Sequence, residues 1–124
     1  MPYEPSKNPD PEEWLALDES ERIELVRAFH RREKIRPPNL QAHAVIHTIV
    51  ETQLAEDFSV LRATLARLQS EGLDRHDAVH AIASVLLDKV QDIREGIIPA
   101  GQDPNLPYIK ALEELTAEAW LRSG

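Results

Sequence analysis

Helix punctuation dominates this sequence. Apolar residues recur three and four positions apart between recognisable start and stop signals, and no segment alternates apolar and polar with period two. A chain written this way buries its apolar residues by packing helix against helix. The expected fold is therefore all-α, a compact helical bundle of five to six helices without a sheet.

The signals place the helices. Asp10-Pro11-Glu12-Glu13 combines an N-cap aspartate, proline at the first helical position and acids in the first turn, and it opens a short helix carrying Trp14, Leu15 and Leu17. Asp18 caps a second helix, with Glu21 at the capping-box position. Ile23, Val26, Ala28, Phe29 and His30 line a face of it, and it runs to about Ile35 before Pro37-Pro38 stops it. Asn39 caps a helix over roughly 40–56, and another begins near Ser59 with Leu61, Leu65 and Leu68 on one stripe, closed by Glu71-Gly72. Asp74 caps a long helix over roughly 75–95, ended by Gly96. Residues 97–104 read as a loop, and a last helix runs from Pro104–Pro107 to about Leu121.

The length, 124 residues, suits one α-helical domain with a single core. Residues 1–10, polar and proline-rich, read as a loose leader without the apolar stretch of a signal peptide. No apolar run approaches a membrane span, so no membrane partner and a cytoplasmic location are expected. The formal net charge of −8 repels a phosphate backbone. The one basic run, Arg31-Arg32-Glu33-Lys34-Ile35-Arg36, sits at a helix C-terminus, where the dipole favours cations, so nucleic acid is not expected as a partner. There is no cysteine, which excludes disulfides, thiolate catalysis and cysteine-bound zinc. Any metal must be held by nitrogen and oxygen.

Nitrogen ligands are conspicuous. Four of the five histidines form the pairs His43/His47 and His76/His80, each four residues apart, whereas chance supplies roughly 0.2 such pairs at this composition. That spacing stacks two imidazoles on one helix face, with Cβ atoms roughly 5–6 Å apart, close enough to bite one ion. Stepping about 100° per residue, Ile46, Ile49 and Val50 set the apolar centre of the first helix, and His43 and His47 fall on its shoulder in line with Leu54. Val79, Ile82, Ala83, Leu86 and Val90 do the same in the second, with His76 and His80 on the shoulder in line with Leu87. The two segments also align as a faint repeat, Ile49 with Ile82 and Leu54 with Leu87. If the helices pack by their apolar faces, both pairs converge on one ion at the edge of the seam.

A nitrogen-rich set of this kind suits a divalent transition metal, with Zn and Fe first among Zn, Fe(II), Ni and Cu, and disfavours Mg and Ca. Glu51, one turn beyond His47, is a further ligand or a base, and His30 at the end of the second helix can close the site. Asp77 can orient the neighbouring His76, or simply be an acid favoured by the helix dipole. Against the metal stands the commoner role of a helix-shoulder histidine, half-buried packing, which applies most to His30.

Specific enzyme templates fail. Ala44 and Asp77 follow the first histidines where a zincin needs glutamate, and the Glu-x-x-His pairs of di-iron bundles are missing. The dipeptide His76-Asp77 is a weak match to HD-type phosphohydrolases, for whose fold the chain is short. No phosphate-cradling glycine loop and no Gly-x-Ser-x-Gly is present.

The segments Trp14-Leu-Ala-Leu-Asp-Glu, Val26-Arg-Ala-Phe-His30, His43-Ala-Val-Ile-His47-Thr-Ile-Val-Glu51-Thr-Gln-Leu-Ala and Gly72-Leu-Asp-Arg-His76-Asp-Ala-Val-His80-Ala-Ile together resemble a family of small bacterial proteins with paired His-x-x-x-His helices, a domain of unknown function. The resemblance covers about residues 11–95. It implies a bacterial source and a site at His30, His43, His47, Glu51, His76 and His80, and it names no activity or substrate.

The expected function is thus metal binding in a role the sequence does not define, a hydrolase-like enzyme with an ion-activated water being one form it can take. The rival expectation is a metal-free interaction or dimerisation module with structural histidines. Ile109, Leu112, Leu115 and Trp120 of the C-terminal helix would then be its exposed surface for a partner or for a homodimer.

Overall fold

The structure, a computed structural model, describes residues 3–33, 40–96 and 105–123. Among these it is all-α, with seven helices: α1 (Pro11–Ala16), α2 (Glu19–Arg32), α3 (Leu40–Ala55), α4 (Ser59–Ser70), α5 (Arg75–Arg94), α6 (Asn105–Glu114) and α7 (Ala117–Ser123). The stop at Pro37-Pro38, the Asn39 cap and the 97–104 loop lie outside the described residues. None of the helices described is long and apolar enough to cross a membrane. The chain divides into two compact units, Met1–Phe58 and Ser59–Gly124.

In the first unit, α3 packs against both α1 and α2. Asp10 starts α1 by accepting from the backbone N–H groups of Glu12 and Glu13, at 3.0 and 3.4 Å. Arg22 closes that helix, donating to the carbonyls of Trp14 and Leu15, both at 3.0 Å. The capping box of α2 forms as its sequence predicts, Glu21 N–H to Asp18 at 2.9 Å and Asp18 N–H to Glu21 at 3.3 Å. At the far end of α3, Asp57 takes a left-handed conformation (φ 63°). Phe58 N–H then reaches back to the Gln53 carbonyl at 3.1 Å, a Schellman closure built on aspartate instead of glycine.

The core of this unit is aromatic. Tyr3, Trp14, Val26, Phe29 and Ala44 form one buried cluster. Trp14 is fully enclosed and donates its indole N–H to Thr52 at 3.1 Å, which satisfies the one polar atom of a ring whose loss would cost about 3–5 kcal/mol. Tyr3 corrects the expectation of a loose leader: it is only 2% exposed, Pro5 is buried beside it in sequence, and Arg32 of α2 donates to the Tyr3 carbonyl at 3.2 Å. A ten-residue segment with a single ring gives no periodic pattern, so its burial is invisible until the pocket that takes the ring exists.

In the second unit, α4 packs on α5 and α6, and α5 also meets α6 and α7. The stripe Leu61, Leu65 and Leu68 is buried as expected. Gly72 ends α4 with φ 110°, its N–H bonded to Gln69 and that of Leu73 to Leu68, and the buried Leu73 follows it. Asp74 caps α5 through Asp77 N–H at 2.8 Å.

The expected single C-terminal helix is broken in two. Thr116 accepts from Ala119 N–H at 3.1 Å and so caps α7. From α4, Arg67 donates to the carbonyls of Leu112 and Leu115 at 3.0 and 2.6 Å, satisfying the end of α6. Glu71 accepts from Ala117 N–H at 2.8 Å. The break also corrects the expected apolar surface. Leu112 is fully buried, and Ile109, Leu115 and Trp120 are half-buried; the exposed large apolar residues of these helices, among the described residues, are Leu106 and Leu121.

Candidate metal centre

In the first unit three imidazoles stand side by side. α2 delivers His30, which is completely buried, and α3 delivers His43, half-buried, and His47, 1% exposed. Ring centroids are 4.6 Å apart for His30 and His43, 5.7 Å for His30 and His47, and 5.9 Å for His43 and His47. An ion bound at 2.0–2.1 Å by ring nitrogens in tetrahedral geometry separates neighbouring ring centroids by roughly 5 Å, a spacing close to that of His30 and His47, whereas the ligand atoms of His43 are not grouped with theirs.

The orientation of α3 differs from the expectation. The apolar spacing puts His43 and His47 on the shoulder of a face centred on Ile46, Ile49 and Val50. Instead Ala44, His47, Thr48, Val50 and Glu51 are buried, while Ile46 and Ile49 are only half-buried. The helix is rotated so that a histidine and a carboxylate face inward. The physical reason is hydrogen bonding: groups that would be costly to bury alone are paired here. The Tyr3 hydroxyl donates to Oε2 of Glu51 and lies 2.6 Å from Nε2 of His47. Thr48 donates to the Ala44 carbonyl at 2.7 Å. The Tyr3 ring also packs edge-on against His47, with centroids 5.5 Å apart.

His30 is fixed by its own helix. Its Nδ1 lies 2.8 Å from the Val26 carbonyl. A carbonyl only accepts, so Nδ1 carries the hydrogen and the neutral ring keeps its lone pair on Nε2. One backbone bond thereby selects the tautomer and aims the ring, as metal-binding imidazoles require. The ligand atoms that His30 and His47 offer lie within 4.8 Å of each other.

The second unit carries the other pair near the start of α5. His76 and His80 are half-buried, on the shoulder expected for them, with rings 4.2 Å apart and ligand atoms within 4.8 Å of each other. Leu87, on the same row, is 43% exposed. The faint repeat does not extend to environment, since Glu51 is buried whereas its counterpart Ser84 is exposed. Asp77 stands in the first turn of α5, the position the helix dipole favours for an acid.

Tyr3 is the site residue that sequence reasoning missed. A signal for it existed only indirectly, in the shortage of aromatic residues, which makes any one of them a candidate for the core. Comparison with protein-family models, with curated proteins and with solved structures finds no match to this chain.

Proposed function

We propose that this chain is a metal-binding helical protein that takes Zn(II) or Fe(II) through its paired histidines. The observation that carries the reading is the pair His30 and His47, two almost wholly buried imidazoles from different helices whose ligand atoms lie within 4.8 Å of each other, with the His43 ring beside them. The pair His76/His80 is assigned the same chemistry in the second unit. The donor set is nitrogen with one nearby carboxylate, Glu51, which fits a transition metal and not Mg or Ca. An ion held by these residues would supply Lewis-acid chemistry, the basis of metal-dependent hydrolysis, and that is the reaction class we propose.

Elemental analysis of protein purified without a His-tag or chelator tests the proposal. The expected result is near-stoichiometric Zn, Fe, Ni or Cu, lost in the His47→Ala, His80→Ala double variant. Protein that emerges metal-free and takes up no added metal overturns it.

A further inference from the structure

Tyr3, His47 and Glu51 form a hydrogen-bonded chain in which protons can be counted. The tyrosine hydroxyl has one hydrogen and donates it to the Glu51 carboxylate. Its oxygen therefore meets Nε2 of His47 as an acceptor, across 2.6 Å. Nε2 must then carry the hydrogen, and the lone pair of the neutral ring falls on Nδ1. His30 shows the mirror arrangement, with Nδ1 on the Val26 carbonyl and the lone pair on Nε2. Each ring is thus held at one nitrogen by a partner that leaves the other as a donor to an ion.

We propose that Tyr3 is a positioning residue for the metal centre: held by Glu51, its hydroxyl fixes the tautomer and orientation of His47 so that Nδ1 serves as the ligand. The inference rests on the metal-binding reading and deepens it. It gives Glu51 a role behind the imidazole rather than on the ion, a carboxylate acting on a ligand histidine through one intervening hydroxyl. It also gives the N-terminal segment a function, since the group that orients His47 arrives from outside the helices. The ring contacts of Tyr3 with Trp14 (5.6 Å) and Phe29 (6.1 Å) hold the hydroxyl in place independently of any ion.

The test uses Tyr3→Phe, which keeps the packed ring and removes only the hydroxyl. Imidazole 15N NMR of the metal-free full chain reads the His47 tautomer, and competition against a chromophoric chelator reads Zn(II) affinity. The expected result is an Nε2–H tautomer in the parent chain, loss of that preference in Tyr3→Phe, and Zn(II) affinity lower by about 10–100-fold with helical circular dichroism unchanged. An Nδ1–H tautomer in the parent chain, or a variant with parental tautomer and affinity, overturns the proposal. A parent chain that binds no Zn(II) but shows the tautomer change sinks the metal reading alone, and leaves Tyr3 as the residue that orients His47.

Discussion

The hydroxyl of Tyr3 and Nε2 of His47 lie 2.6 Å apart although 44 positions separate them in the chain. The contact ties a segment without helical pattern to the middle of α3, and it does so through a buried polar bond. Replacing Tyr3 by Ala removes a ring from the aromatic core and deprives Glu51 and His47 of a partner. A loss of about 3–5 kcal/mol is expected, read as a lower urea midpoint, whereas Tyr3→Phe should cost about 1–3 kcal/mol. Equal, negligible effects for both variants would show that the segment does not belong to the core.

Bound metal should stabilise the folded chain by mass action. Zn(II) at about one hundred times its dissociation constant is worth about 2.7 kcal/mol, or roughly 10 °C in melting temperature for a chain of this size. Thermal melts with Zn(II) and then with excess chelator check this. The shift should vanish on chelation and be absent in the His47→Ala, His80→Ala double variant.

Glu71 links α4 to α7. Its carboxyl is held below the ordinary value of 4.5, first by the Ala117 N–H that it accepts, then by Arg67. A carboxyl lowered in the folded state contributes stability that is full above its unfolded value and is lost as pH falls through the folded one. Denaturation midpoints compared at about pH 7 and about pH 3.5 should therefore fall less in Glu71→Gln than in the parent chain, and salt should narrow the difference because the group is near the surface.

Besides Glu71, two side chains hold the break between α6 and α7. Thr116→Ala removes the cap of α7 and should cost about 1 kcal/mol. Arg67→Ala removes the donors to Leu112 and Leu115 and should cost about 1–3 kcal/mol. Hydrogen exchange should locate the change: faster exchange confined to the amides of α7 is expected for Thr116→Ala, and unchanged exchange there would show that the cap is incidental.

Residues near one another in the chain were enough to determine the helices. Asp10, Asp18 and Asp74 cap where their local chemistry requires, Gly72 supplies a turn that needs a positive φ, and Leu61, Leu65 and Leu68 bury as their spacing demands. Caps, turns and apolar periodicity act over a few residues, so they can be read without a partner. The histidine pairs were legible for the same reason, as a spacing of four on one helix. Three features belonged to tertiary structure alone: the inward rotation of α3 toward His47 and Glu51, the burial of Tyr3, and the hold of Arg67 on the end of α6. Each depends on a polar group meeting its partner from a distant part of the chain. Apolar averaging treats His47 and Glu51 as groups to expose, and the hydroxyl that Tyr3 brings to them works against that preference.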